Sequence, residues 1–194
     1  MPEKIRINVC ERPVEIVQGT TLFALREEKK PDADVMILNG APVVGDSVLQ
    51  GEDEVVFIRR GEIPDPGELE ALMASRHTPG VHQRLKAAAV GIAGLGGLGS
   101  SIAVALARIG VGKLVLADYD VVEPSNLNRQ QYFVDQIGML KTEALQANLE
   151  RVNPYIAVES HAVRLRPENI PDIFDAVTVL AEAFDRAEEK AMLI

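Results

Sequence analysis

Between residues 94 and 142 the chain carries four blocks whose residue types could do chemistry together: Gly94-Leu95-Gly96-Gly97-Leu98-Gly99, Asp118-Tyr119-Asp120, Ser125-Asn126-Leu127-Asn128-Arg129-Gln130, and Lys141-Thr142. Gly94, Gly96 and Gly99 fall in a G-x-G-x-x-G pattern between an apolar strand, Val90 to Ala93, and a helix continuing from Ser100 to Ile109. Glycines there let the backbone turn tightly and approach a phosphate, and the helix start offers unpaired N–H groups and the positive end of its dipole. A second strand, Lys113 to Ala117, ends at Asp118, an acidic residue placed to accept ribose hydroxyls.

Up to Asp118 a dinucleotide-binding domain fits equally well. The residues downstream favour a triphosphate. Arg129 lies in a polar loop, and Lys141 opens the next helix, Lys141 to Val152. Two cations near a phosphate loop suit a displacement in which negative charge grows on the leaving group. A diphosphate-bridged nicotinamide has less use for them. At this stage Arg129 as a solvated loop residue and Lys141 as a surface lysine remain open readings.

These ordered motifs, with the later Glu182-Ala183-Phe184-Asp185, resemble the ThiF and MoeB adenylyltransferases, which activate ubiquitin-like sulfur carriers and are related to the ubiquitin-activating enzymes. The likeness runs from about residue 76 to the end. It implies nucleotide contacts from Gly94, Gly96, Gly97, Gly99, Asp118, Asp120, Asn126, Arg129, Gln130 and Lys141, with Arg129, Lys141 and Asp185 in the catalytic roles and Asp185 near Mg²⁺. The cofactors implied are ATP and Mg²⁺. Asn128 replaces the family's usual Gln and keeps an amide. Glu182-Ala183-Phe184-Asp185 stands where a Asp-Cys-Thr-Asp run is common, and the terminal Asp is retained. No Cys-x-x-Cys pair is present, so zinc is not expected from this chain, and no cysteine lies in this part to act as a nucleophile. Relatives insert an arginine from just before the glycine loop into a partner's site. Arg76 stands nearest, at a spacing shorter than the family's, and a surface role is its default reading.

The elements ahead of these motifs make a different pattern. Ile5, Ile7 and Val9 alternate with polar residues as a half-buried strand does, and Val14 and Ile16 suggest its returning partner. Thr20-Thr21 can cap a helix through Leu22, Phe23 and Leu25. Val35 to Leu38, an Asn39-Gly40 turn and Glu54 to Arg59 complete a β-grasp order. Leu38-Asn39-Gly40 and Gly51-Glu52-Asp53-Glu54-Val55 resemble the sulfur carrier ThiS. A working carrier reacts through the free carboxylate of a terminal Gly-Gly, whereas here the last strand runs on through Arg59-Arg60-Gly61-Glu62, so the module reads as a non-reacting or docking one.

The expected organisation is therefore a small α+β β-grasp domain over 1–60, a proline-stiffened linker over 61–67, and an α/β Rossmann-like domain over 68–194, whose parallel sheet carries helices on both faces. In the second domain, a helix from Glu68 to Ser75 leads to Arg76; after Val152 a third strand is expected over Ile156 to His161, a crossover helix over Arg166 to Phe174, and a fourth strand over Val177 to Ala181. A last helix, Arg186 to Ile194, ends apolar, which suggests a domain cut short of further strands, or covered by self-association.

Composition narrows the partners. The chain has 29 acidic against 20 basic residues and a net charge of −9, which argues against nucleic acid or an anionic membrane. No apolar run approaches the ~20 residues of a membrane span and no signal peptide is read, so a cytoplasmic location is expected. Cys10 is a strand residue by default, and His77, His82 and His161 lack metal-ligand spacing. The expected activity is ATP-dependent adenylylation of the terminal glycine carboxylate of a ThiS-like carrier, with thiamin biosynthesis as the pathway and a homodimer as the assembly. A nicotinamide-dependent oxidoreductase and a non-catalytic nucleotide-binding scaffold are the competing classes.

Overall fold

The structure, a computed structural model, describes residues 2–74, 77 and 80–193. The chain divides into two compact units, Met1–His77 and Thr78–Ile194.

In the first unit, β1 (Lys4–Val9) and β2 (Arg12–Val17) form a hairpin turned at Cys10 and Glu11, both at positive φ, as a two-residue turn matched to strand twist requires. Helix α1 (Leu22–Lys29) starts where the Thr21 hydroxyl accepts from the Ala24 N–H at 3.2 Å. Strands β3 (Val35–Leu38), β4 (Ala41–Val43) and β5 (Glu54–Ile58) complete a sheet of order β2-β1-β5-β3-β4. Only β1 and β5 run parallel. Ile7, Leu22, Leu25, Leu49, Val55 and Phe57 fill the core between helix and sheet. The expected Asn39-Gly40 turn forms and joins β3 to β4, a strand not anticipated because it is three residues long and holds Pro42. An edge position tolerates that proline. The last strand stops at Ile58, one residue earlier than expected. Helix α2 (Pro66–Ala74) follows, starting two residues before the expected Glu68. The expected end at Ser75, and Arg76 with it, lie outside the described residues.

In the second unit, α3 (Val81–Ala87) precedes β6 (Ala89–Ala93), α4 (Gly97–Arg108), β7 (Lys113–Ala117), α5 (Lys141–Val152), β8 (Ala157–His161), α6 (Ile170–Phe174), β9 (Val179–Glu182) and α7 (Ala187–Met192). All strands are parallel in the order β8-β7-β6-β9. One face packs Ile92, Leu114 and Leu116 against Ala103, Ala107, Leu145 and Leu149 of α4 and α5. The other packs Ala93, Val115 and Ala117 against Phe174, Leu165, Met192 and Leu193. Alternate residues of β7 thus bury into opposite layers, as a sheet covered on both faces demands.

Strand β8 starts one residue later than expected and β9 two residues later, and two helix boundaries moved for physical reasons. Helix α4 begins at Gly97 rather than Ser100, because Gly99 lies so close to the loop before it that the helix must already be turning there. Helix α6 is shorter than expected: the Asn169 side chain accepts from the Arg166 N–H at 2.8 Å, holding a turn, and Pro171 sits in the first helical turn.

Candidate functional site

Register brings the site together. Ala93 of β6 pairs with Ala117 of β7 and with Glu182 of β9, so three loops leave the sheet at one level, starting at Gly94, Asp118 and Ala183. The strand order reverses on either side of β6, and the crevice beyond such a reversal is where open α/β sheets bind ligands. A cleft of ≈ 400 Å³ opens there, within the ~300–1,000 Å³ usual for small-ligand sites.

The glycine loop forms its floor. Gly94 turns the chain at φ +92° and donates its N–H to the Ala117 carbonyl at 2.9 Å. A Cβ on Gly99 would lie 1.9 Å from the Gly94 carbonyl oxygen, so only glycine lets α4 seat against the loop. Gly94, Gly96 and Gly97 line the cleft, while Gly99 supports them from behind.

The two carboxylates of Asp118-Tyr119-Asp120 have different partners. Asp118 accepts from the Leu95 N–H at 2.6 Å through one oxygen and from the Asp120 N–H at 2.8 Å through the other. It therefore ties the end of β7 to the glycine loop, with a lone pair on each oxygen still available. Asp120 accepts from Lys141 Nζ at 2.8 Å, and the Lys141 N–H donates to the Asp120 carbonyl at 2.9 Å. The Lys141 side chain is only 7 % exposed, so it is no surface lysine. Burial alone would disfavour a charge there; the carboxylate opposite compensates it.

The polar loop supplies the facing wall. A short 3-10 turn, Pro124–Asn126, is locked by Asn126, whose Oδ1 accepts from the Glu123 N–H at 3.1 Å. Arg129 donates through Nη1 to the Ser125 carbonyl and to Asn128 Oδ1, both at 3.0 Å, which orients its guanidinium beside the cleft. Gln130 is buried, lines the cleft, and its Oε1 has no hydrogen-bond partner among the described residues. An orphaned buried acceptor of that kind suits a ligand donor. Asp185 lines the opposite rim, beyond β9, although 67 positions of chain separate it from Asp118.

Gly94, Gly96, Gly97, Asp118, Asp120, Asn126, Arg129, Gln130, Lys141 and Asp185 thus line one cleft, with Gly99 behind it, while Arg76 lies outside the described residues. Further residues brace the cleft, and among them Tyr132 carried no sequence signal. Tyr132 is buried and donates its hydroxyl to the Leu95 carbonyl at 2.8 Å; burial, reinforced by the Asp118 and Asp120 carboxylates, pushes its phenol well above the usual tyrosine range. Gln131 donates its N–H to the Ser100 hydroxyl at 3.1 Å and its side-chain amide to the Ser101 hydroxyl at 3.4 Å. Across the mouth, the Arg164 guanidinium lies over the Tyr119 ring at 5.5 Å.

A glycine loop at a helix start with Arg129 and Lys141 beside it has the parts to bind a polyphosphate. Among the described residues no group of three or more His, Cys, Asp or Glu could hold a metal by itself. Magnesium does not need one, because it is commonly held by one or two carboxylates with substrate phosphates and water. Asp185 is one of the carboxylates lining the cleft that would serve in this way.

Comparison with known proteins gives two family matches: residues 70–194 match the ThiF family, and residues 4–61 match ThiS-like ubiquitin. Ubiquitin-like modifier-activating enzyme 5 of Drosophila sechellia is 33% identical over 154 residues, covering 78% of this chain and 36% of that protein. Its Arabidopsis thaliana counterpart is 39% identical over 106 residues, covering 54% of this chain and 25% of that protein. The chain spans well under half the length of these curated relatives. Among solved structures, E. coli tRNA N6-threonylcarbamoyladenosine dehydratase, TcdA, in complex with ATP, superposes with a TM-score of 0.63 at 29% identity, over 69% of this chain and 56% of that one. E. coli MccB with MccA-N7isoASN superposes with a TM-score of 0.52 at 32% identity, over 56% of this chain and 32% of that one.

Proposed function

The chain belongs to the ThiF family, with a ThiS-like ubiquitin domain ahead of the family's own, and from that premise we propose that its cleft transfers an adenylyl group from ATP to the C-terminal glycine carboxylate of a ThiS-like sulfur carrier, in thiamin biosynthesis. The observation that carries this reading is the buried Lys141 beside Arg129 and the glycine loop in one cleft, with Asp185 on its rim.

In this mechanism the glycine loop and the start of α4 hold the phosphates through backbone N–H groups. Asp118 accepts from the ribose with its remaining lone pairs, and the unpartnered Gln130 Oε1 accepts a donor of the nucleotide. Asn126 keeps the loop in shape. A carboxylate oxygen of the carrier attacks the α-phosphorus, a P–O bond forms, and the bond to the bridging oxygen breaks with its electrons going to pyrophosphate. Arg129 and Lys141 stabilise the charge gathering on that leaving group. No proton has to move, since the nucleophile is already a carboxylate, so no protein base or cysteine is required. Asp185 would hold Mg²⁺, which when bound neutralises phosphate charge.

The joined β-grasp domain serves here as a docking module rather than as the substrate. Gly61, at φ +78°, is peptide-bonded onward, the Glu62 N–H donates to the Arg59 carbonyl at 3.2 Å, and Glu62 pairs with Lys30 at 2.7 Å. A segment turned back and paired in this way is the opposite of a free glycine tail. The partners proposed are therefore a separate Gly-Gly-ended carrier and a second copy of this chain. Exposed Phe133, Val134, Ile137 and Met139, all on one loop, support the latter. A cytoplasmic setting belongs to the same proposal; no described helix is long and apolar enough to cross a membrane.

The test is ATP–pyrophosphate exchange by the whole chain, with and without a Gly-Gly-ended carrier. Exchange that depends on the carrier is expected. Tighter binding of NAD than of MgATP, or MgATP binding with no exchange for any carrier, would overturn the reading.

A further inference from the structure

The geometry points to Asp120 as the residue that positions Lys141 and, in turn, as a charge that Lys141 must neutralise before a polyphosphate can enter. This inference rests on the proposed nucleotide reading of the cleft and extends it to a residue whose job there is indirect.

Three observations carry it. Lys141 Nζ meets the Asp120 carboxylate at 2.8 Å, and the two residues are joined a second time through the Lys141 N–H and the Asp120 carbonyl at 2.9 Å. A bridge between Val121 and Leu140 closes the same pair of segments, so the contact sits in a small fixed frame. The ammonium is buried while the Asp120 side chain is 50 % exposed, and both residues line the cleft. The pair therefore presents its lysine end from the wall and its carboxylate end to the open space.

An ammonium has three donors. One is spent on Asp120, which fixes the head group and leaves two for a ligand. A flexible four-carbon stem would otherwise reach the same point through many rotamers. Without the ammonium, Asp120 becomes an unpaired negative charge in a cleft that is also lined by Asp118, Glu123, Asp185 and Glu189, against the cations Arg129, Arg164 and Arg186. A triphosphate entering that space is repelled. Part of what Lys141 does for nucleotide affinity is then the cancellation of Asp120, while its effect on rate comes from the ammonium itself.

The two contributions separate in a double-mutant cycle, read by calorimetric titration of MgATP and of AMP into the whole chain and by carrier-dependent exchange. Lys141→Ala should weaken MgATP binding by roughly 10- to 100-fold. Adding Asp120→Asn to Lys141→Ala should recover about tenfold of that loss by removing the stranded charge, yet leave exchange as slow as in Lys141→Ala alone. Asp120→Asn by itself should bind MgATP at least as tightly as the unaltered chain but exchange about tenfold more slowly, because the ammonium is present and no longer held. AMP binding should stay within about threefold throughout, which reports that the cleft is intact.

Failure of the double variant to recover MgATP affinity while AMP binding is preserved would overturn the inference. So would an Asp120→Asn chain that loses MgATP affinity to the same extent as Lys141→Ala. If a variant loses AMP binding, Asp120→Glu replaces Asp120→Asn: it keeps the charge and displaces the carboxylate, so exchange should slow with MgATP affinity unchanged, and unaltered exchange would refute the positioning role. Because the affinity order does not require turnover, it stands or falls separately from the adenylylation reading, which absence of exchange in the unaltered chain would overturn.

Discussion

Gly99→Ala is the most severe single-methyl change among the glycines of the loop. The added Cβ would lie 1.9 Å from the Gly94 carbonyl oxygen, 2.9 Å from its carbon and 3.2 Å from the Ala183 Cβ. Two of these neighbours are backbone, so no side chain can rotate away. The start of α4 must retreat by roughly 1 Å before the worst contact reaches even 3.0 Å. Such overpacking typically costs ~1–3 kcal/mol, and the upper end applies because backbone must move; for a domain of this size ~3 kcal/mol lowers Tm by about 10 °C. A displacement of about 1 Å in a phosphate-binding element also costs ~10²-fold in rate. Gly97→Ala is the matched control. Its Cβ meets nothing nearer than the Arg129 carbonyl oxygen at 3.4 Å, and it lies in the first turn of α4. There a methyl removes unfolded-chain entropy and should leave Tm unchanged or raise it slightly, while MgATP affinity falls because the methyl occupies the approach to the phosphate. Thermal unfolding and calorimetry on both variants give the result. A Gly99→Ala chain with unaltered Tm and MgATP affinity would refute the claim that the contact between α4 and the loop builds the site.

Arg129→Ala and Lys141→Ala should each slow carrier-dependent exchange by ~10²–10³-fold, and Asp185→Ala should abolish its dependence on magnesium; exchange rates across a magnesium titration decide this. Tyr132→Phe removes the donor to the buried Leu95 carbonyl and should cost ~1–2 kcal/mol in denaturant unfolding. Because the folded state raises the Tyr132 pKa, its contribution is fully present below the ordinary tyrosine value of 10.0 and is lost as pH rises beyond it; unfolding measured above pH 10 should show a steeper alkaline loss in the unaltered chain than in Tyr132→Phe. Incubation with MgATP alone should leave the intact mass unchanged, since Gly61 carries no free carboxylate; a gain of one AMP on residues 1–61 would make the joined domain a carrier after all.

Much of the site could be read from the chain because its parts are local motifs. The helix over Lys141–Val152 and the strand over Lys113–Ala117 form where the pattern of apolar residues places them. Strand β4 was hidden by its three-residue length and Pro42, and α3 by having only Val81 and Leu85 as an apolar pair one turn apart. What could not be read is the set of cross-chain contacts. Nothing in the surroundings of Lys141 announces that its ammonium is buried, because the partner, Asp120, is 21 positions away. Tyr132 and Gln131 look like ordinary loop residues until the fold brings Leu95, Ser100 and Ser101 against them. Asp118 was legible as an acid at a strand end, but its hold on the Leu95 N–H is a property of the assembled sheet.

That hold, together with Tyr132 on the Leu95 carbonyl and Ala117 on the Gly94 N–H, means the base of the glycine loop has its backbone bonds made within the protein. The conformational entropy of shaping the loop is then spent when the sheet folds and not when a ligand arrives. Nucleotide affinity should accordingly follow a gentle van't Hoff line on warming, with no separate loop-ordering transition, and vanish only where the α/β unit itself melts. Evolution could vary what enters such a cleft by changing its rim, at Tyr119 or Arg164 for example, while the anchored loop beneath goes on presenting the same N–H groups.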